Sequence, residues 1–330
     1  MQALIPVAGV GTRLRPHTYT QPKPLIPVAG KPIIGFIIDE LLKVGVEDFI
    51  FVIGYLGERI RQYIFEHYPD INITFVQQSN RLGTGHAIWM ARDVINAEEE
   101  LLIVFGDTII DIDWKTTLNE PNSCLGIQKV DDPREFGVAD VVDGFVRGVI
   151  EKPRIPLSNK ALVGLYKIKE VDLLLETLTL MVENDMRTHD EFQLTDVIML
   201  MIKKGVNFKA VEVNNWFDCG RKDVLLETNA MLLKRFKTAE HSNPKIRNSI
   251  IVPPVYLSQD CSINNSVIGP NVSIGEGAQI DHSVIKDTII GSYAFIEEVV
   301  LKKSIIGNDA LIKGLSQSLN IGDDTEIDFS

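Results

Sequence analysis

Cysteine is scarce in this chain: 330 residues contain three, Cys124, Cys219 and Cys261. They are scattered and lack metal-ligand spacing, so neither a disulfide framework nor a thiolate metal site is expected. They read as reduced thiols of a cytoplasmic protein. No uninterrupted apolar run approaches the roughly 20 residues needed to span a bilayer. The N-terminus has no basic region followed by an apolar core, so no signal peptide and no membrane partner are expected. Basic runs are also missing. Acidic residues outnumber basic ones 45 to 33, for a formal net charge of −12. A nucleic-acid partner, whose phosphates require a basic face, is therefore not expected. A nucleotide ligand is not excluded, because it needs only local cations. The length allows about two domains, and 45% apolar residues can furnish sizeable cores.

The chain is organised around residues 5–31. An apolar run, 3–8, reads as a buried strand. Gly9, Val10 and Gly11 then break the pattern, and Thr12, Arg13, Arg15 and Lys23 follow. Glycines let the backbone come close to a ligand and turn its N–H groups inward, which suits phosphate oxygens. Arg13, Arg15 and Lys23 add positive charge where a triphosphate would lie. Pro16, Pro22, Pro24 and Pro27 stiffen the loop. A Gly-x-Gly turn after a strand is by itself weak, and this one is neither the dinucleotide-binding nor the Walker form.

The combination is more specific. The strand, the glycine turn, Gly11-Thr12-Arg13-Leu14 and Pro22-Lys23-Pro24-Leu25 together resemble the signature of the sugar-1-phosphate nucleotidyltransferases. The turn Ala8-Gly9-Val10-Gly11 is one residue shorter than the family's usual double glycine, a form that also occurs in its uridylyltransferase branch. This leaves the preferred base open, not the reaction class.

Further along, apolar spacing predicts helices over 32–44, 58–68 and 84–95, with strands over 48–54, 71–77 and 100–105. Such alternation implies an α/β fold with a mainly parallel sheet covered on both faces. Ligands of such sheets sit at the carboxyl ends of strands, so the loops after Ala8, Gln77 and Phe105 should meet in one crevice. The resemblance implies that Ala8, Gly9, Gly11, Thr12, Arg13, Lys23, Gln78, Gly83 and Thr84 bind the nucleotide. Gln78, five residues before Gly83, would read a pyrimidine edge, since an amide donates and accepts at once. His86 reads as a structural helix residue rather than a catalyst. Asp107, in Gly106-Asp107, resembles the family's first Mg²⁺ ligand, although a cap or turn aspartate is common at such a place. Asp218, in Trp216-Phe217-Asp218-Cys219-Gly220, resembles the second, with Arg221 in place of the usual threonine. A strand-rich stretch from residue 123 looks like the family's sugar-binding half. There the resemblance implies that Gly137, Glu151, Lys152, Leu162 and Gly164 meet the sugar phosphate. The carboxylates around 190–196 read as caps and surface charge.

The tail changes character. Ile268-Gly269, Ile274-Gly275, Ile290-Gly291, Ile306-Gly307 and Ile321-Gly322 each open a six-residue unit, with Val272, Ala278, Ala294, Ala310 and Thr325 four places on. Ile280, Ile296, Ile312 and Ile327 continue the register. A six-residue period means a stacked parallel β-helix with its isoleucines inside. The left hand is implied by the resemblance to hexapeptide-repeat domains and runs against the usual crossover rule. The expected organisation, as the resemblance implies it, is a Rossmann-like catalytic domain with a mixed, mainly parallel sheet over 1–237, a linker over 238–247 and a left-handed β-helix over 248–330.

The expected reaction joins an NTP, dTTP first, to a sugar 1-phosphate, glucose 1-phosphate first, and releases pyrophosphate. Arg13, Lys23, Asp107 and Asp218 would be catalytic, with Mg²⁺ on the two aspartates, in a homo-oligomer. Uridylyl transfer is the nearest alternative. A catalytically silent sugar-nucleotide sensor and acyl transfer by the β-helix, for which His282 is the candidate, are the remote ones.

Overall fold

The computed structural model describes residues 1–235 and 244–314. The chain divides into two compact units, Met1–Thr228 and Asn229–Ser330.

The first unit is built on a nine-stranded sheet. Its strands are β1 (Gln2–Val7), β2 (Asp48–Ile53), β3 (Asn72–Gln77), β4 (Leu101–Val104), β5 (Ser123–Lys129), β6 (Gly137–Val142), β7 (Phe145–Glu151), β8 (Lys160–Ile168) and β9 (Phe208–Glu212). The spatial order is β3-β2-β1-β4-β8-β5-β9-β7-β6. The first four run parallel, as the strand–helix alternation implies. Beyond β4 the sheet is mixed. β8 is antiparallel to β4 and β5, and β7 to β9 and β6, while β9 is parallel to β5. The physical reason lies in the connections: β5 to β8 follow one another without a helix, and short links join antiparallel strands, whereas parallel pairs need a long crossover.

Helices Thr84–Met90, Val171–Glu183 and Leu194–Lys203 bury Ile88, Leu174, Leu178, Val197 and Ile198 in one cluster with Leu4, Ile50, Val52, Ile103 and Leu125 of the sheet. Apolar burial of this kind is the main term that holds the layers together. The helix expected over 84–95 stops at Met90. Arg92 turns back there, donates to the Trp89 carbonyl and lies over the Trp89 ring, which satisfies the end of the helix.

A small ribbon lies apart from the sheet. Thr108–Asp111 pairs antiparallel with Asn215–Asp218, with Thr108 opposite Asp218. Neither strand is apparent in the sequence as half of a pair, yet this pairing sets Asp218 beside the end of β4.

Over residues 244–314 the second unit is a left-handed parallel β-helix with three parallel ladders. One ladder stacks Ile246, Ile263, Ile280, Ile296 and Ile312 in register. Ile263, Ile268, Ile274, Ile280, Ile285, Ile290 and Ile296 are buried, packed with Val272, Ala278 and Ala294. The expected inward positions Ile321, Thr325 and Ile327 lie outside the described residues. The linker expectation needs correction at its far end: Lys245–Arg247 is already a strand, paired with Ser262–Asn264. This first coil lacks the Ile-Gly pairs that mark the later ones, so its period is hidden. His282 sits at a corner with φ +45°, as Asn265 and Glu298 do in neighbouring coils. It is an exposed turn residue beside Asp281.

Candidate active site

The loop after β1 folds as three short 3-10 turns, Thr12–Leu14, His17–Tyr19 and Lys23–Leu25. Gly11 makes this possible. Its φ is +67°, and an added Cβ would stand 3.0 Å from Lys23 Cβ and 3.1 Å from Thr18 Cγ2. Thr18 Oγ1 donates to the Gly11 carbonyl at 2.9 Å and fixes the fold-back. The loop therefore closes on itself and delivers Lys23 inward.

Lys23 Nζ donates to Asp107 Oδ2 at 2.6 Å and lies 3.4 Å from Asp218 Oδ1. Arg13 stands at the outer side, 4.0 Å from Asp218 Oδ2. The structure thus brings Arg13, Lys23, Asp107 and Asp218 to one place from three distant stretches. Burial alone would push the Lys23 ammonium down, but the two carboxylates outweigh it and raise it. Burial would likewise raise the Asp107 carboxyl, and the Lys23 charge outweighs that and lowers it. Both groups are held ionised at neutral pH. Cys219 follows Asp218 but is fully buried, and burial pushes its thiol up to about 12, so it is no nucleophile.

The donor set fits a hard divalent cation. Asp107 and Asp218 converge on one cationic group, and no group of three His, Cys, Asp or Glu side chains suited to a metal occurs among the described residues. Two carboxylates completed by substrate phosphates are the usual holding arrangement for Mg²⁺.

A crevice of about 800 Å³ opens beside this cluster. That is within the usual range for a small-molecule site. Ala8, Gly9, Thr12, Gln78, Gly83, Thr84, Phe105 and Asp107 line it, so the loops after β1, β3 and β4 do meet. A smaller recess of about 240 Å³ holds Gly11, Arg13, Lys23, Asp107 and Gly220. Gly83 has φ +105°, and a Cβ there would lie 2.5 Å from the Phe192 carbonyl. Only glycine lets the 191–193 loop pass so close. Thr84 uses its hydroxyl within the protein, accepting from the Leu194 N–H at 3.1 Å.

The sugar-side candidates stand on β6 to β8, with Lys152 just past the end of β7, and none of the five lines that crevice. Glu151 Oε2 accepts from Thr195 Oγ1 at 3.0 Å, and Lys152 Nζ lies 3.6 Å from Glu151 Oε1. At Gly137 a Cβ would meet Thr195, Leu162 and Glu151, and at Gly164 it would meet the Phe105 ring. The bare faces of these glycines are thus approached by the protein's own side chains.

Sequence reasoning missed several wall residues: Tyr55, Arg81, Phe105 and Glu191 also line the crevice. Glu191 belongs to the acidic stretch read as surface charge. Thr195 was likewise passed over, although it orients Glu151. A loop residue in an unremarkable context gives no local signal of what it faces.

A glycine-rich loop on a mixed α/β sheet, two carboxylates facing that loop's lysine, and a β-helix with a six-residue period define the class of chain to which this one is to be compared. Comparison with known proteins agrees. The nucleotidyl transferase family model matches residues 2–235, and the GlmU-like C-terminal hexapeptide model matches residues 236–291. The chain belongs to the sugar-1-phosphate nucleotidyltransferase family.

Among its relatives, the bifunctional protein GlmU of Methanococcus vannielii is 35% identical over 258 residues, 76% of this chain and 58% of the relative. The low-salt glycan biosynthesis nucleotidyltransferase Agl11 of Haloferax volcanii is 29% identical, over 71% of this chain and 66% of its own. A glucose-1-phosphate thymidylyltransferase of Streptomyces griseus is 29% identical with the same coverage, 71% and 66%. The matched part is thus less than two thirds of each relative's length. The solved UDP-glucose pyrophosphorylase from Acinetobacter baumanii superposes with a TM-score of 0.61 at 22% identity, over 72% of this chain and 94% of that one. That likeness concerns the fold.

Proposed function

We propose that this protein transfers a nucleotidyl group from dTTP or UTP to a sugar 1-phosphate, giving an NDP-sugar and pyrophosphate. The observation that carries the reading is Lys23 held between Asp107 and Asp218 at the mouth of the glycine loop, next to a crevice walled by Gln78. An oxygen of the sugar phosphate attacks the α-phosphorus while the bond to pyrophosphate breaks opposite it. That oxygen is already ionised, so no general base is required, and catalysis rests on positioning and charge stabilisation. Lys23 holds the phosphate under attack, Arg13 holds the departing phosphates, and Lys152 steers the incoming sugar phosphate. Glu151, oriented by Thr195, accepts hydrogen bonds from sugar hydroxyls. Mg²⁺ bound by Asp107 and Asp218 would supply further neutralisation of the reacting phosphates.

The resemblance and the thymidylyltransferase relative favour dTTP with glucose 1-phosphate. The shortened turn Ala8-Gly9-Val10-Gly11 favours UTP. Measuring pyrophosphate release over a panel of NTPs and sugar 1-phosphates tests both the class and the choice. No release with any pair would sink the proposal.

The β-helix is proposed as an assembly and stability module of a cytoplasmic homo-oligomer. Ile250, Val267, Val284 and Val300 stand in register on one of its ladders, with Ile250, Val284 and Val300 exposed. Paired substitutions Val284→Lys and Val300→Lys should lower the sedimentation coefficient, and an unchanged value would rule out this face as the contact.

A further inference from the structure

Gln78 and His86 are both buried, and both stand where the crevice wall meets the helix Thr84–Met90. Gln78 Nε2 lies 3.3 Å from the Gly83 carbonyl oxygen and 3.0 Å from His86 Nδ1. The first contact fixes which way the amide is turned. An atom at that distance from a carbonyl oxygen must be the NH₂, because an amide oxygen there would oppose another acceptor. One N–H goes to Gly83, and the other goes to His86 Nδ1. Nδ1 is therefore the acceptor, and the ring carries its proton on Nε2.

The ring itself is held firmly. It stacks on Phe192 with centroids 6.1 Å apart and an interplanar angle of 21°, and it packs against Trp89 at 5.8 Å. Burial lowers its proton affinity, and the charge of Arg187 lowers it further, so the neutral form prevails. With both amide hydrogens committed, Oε1 is left. It makes no hydrogen bond among the described residues, and Gln78 faces the crevice.

We propose that His86 is a positioning residue that locks the Gln78 amide with its oxygen toward the base, so that the site selects a base carrying an N–H at that edge. Uracil and thymine present such an imide N–H. Cytosine presents a bare ring nitrogen in the same place, and acceptor would face acceptor. The inference rests on the nucleotidyl-transfer reading above. It assigns the discrimination to the orientation of Gln78 rather than to its presence alone, and that orientation to a residue that touches no substrate.

The test compares kcat/KM for UTP, dTTP and CTP by pyrophosphate release, in the full chain and in His86→Leu and His86→Asn. Leucine removes the acceptor and frees the amide to turn over. The UTP:CTP ratio should fall about tenfold, the loss of one oriented hydrogen bond, with the change carried by KM for UTP. Asparagine can place an oxygen near the position of Nδ1 and should restore most of the ratio. A folded His86→Leu with an unchanged ratio, or equal losses in both variants carried by kcat, would overturn the role. Nitrogen-15 NMR of the unsubstituted protein gives an independent reading: an Nε2–H tautomer of His86 is expected, and an Nδ1–H tautomer refutes the lock. Absence of turnover with every NTP would instead remove the functional reading beneath it.

Discussion

Replacing Lys23 by alanine separates charge balance from chemistry. In the folded protein the Lys23 side chain is 9% exposed, against 38% for Asp107 and 24% for Asp218. Removing the ammonium leaves two carboxylates facing a common point, with Arg13 at 4.0 Å from Asp218 and the Arg221 charge farther out to offset them in part. Breaking a fully buried pair costs about 3–5 kcal/mol. The carboxylates here are partly hydrated, which screens the repulsion, so about 1–2 kcal/mol is expected. For a unit of this size that lowers the midpoint of thermal unfolding by about 2–8 °C.

The pH window follows from the directions of the shifts. The Asp107 carboxyl is lowered, so its contribution is present above its ordinary value of 3.8 and is lost only as pH falls below that. The Lys23 ammonium is raised, so its contribution is complete below 10.5 and is lost only above it. The difference between variant and parent should be flat across neutral pH. Mg²⁺ without nucleotide should then stabilise the variant more than the parent, because the ion can take over the neutralisation that Lys23 performs. At ten times its dissociation constant it would return about 1.4 kcal/mol. The assay is thermal unfolding with and without Mg²⁺ at pH 7.5. An unshifted midpoint in the variant, or an equal Mg²⁺ effect in both proteins, would refute the reasoning.

The other expectations are simpler. Asp107→Asn should reduce turnover by several kcal/mol of lost transition-state stabilisation while the fold persists; near-normal rates at saturating Mg²⁺ would refute its role. Gln78→Ala should cost about 1–3 kcal/mol in binding the preferred nucleotide and blunt discrimination among bases, read as kcat/KM for dTTP over GTP. Thr195→Val removes the donor to Glu151 and should raise KM for the sugar 1-phosphate about three- to tenfold with less effect on KM for the NTP. Ile263→Ala hollows the β-helix core, where that side chain is fully buried, and should cost about 2–5 kcal/mol in the unfolding of that unit, measured by denaturant titration.

The sequence announces those parts of the site whose chemistry is tied to local geometry. The glycine turn and the cations behind it are a contiguous signal, because phosphate binding needs backbone and charge in one short loop. The meeting of the loops after β1, β3 and β4 follows from a rule about parallel strands, and it holds here. The link from Asp107 to Asp218 depends instead on the ribbon of Thr108–Asp111 with Asn215–Asp218, a long-range pairing with no trace in either segment alone. A mixed sheet is expected from the resemblance, but which strands reverse is hidden for the same reason, since direction is set by connections and partners. Glu191 and Thr195 look like ordinary residues around a helix start, and only the passage of their loop under Gly83 and beside Glu151 gives them a place in the site. In the β-helix, coils with Ile-Gly pairs are legible, and Lys245–Arg247, which lacks them, is not.

The register of that β-helix has a consequence for how its length can change. Ile246, Ile263, Ile280, Ile296 and Ile312 are consecutive rungs, 16 or 17 residues apart. Each rung advances the structure by about 4.8 Å, the spacing of hydrogen-bonded strands. The unit is therefore graduated like a ruler. Deleting one whole coil moves everything beyond it by one division without rotating it, and each isoleucine still lands on an isoleucine. Deleting part of a coil carries inward residues to a corner or an outer face, and the stack above loses its core. Tolerated changes of length should come in whole divisions, while intermediate lengths should fail to stack.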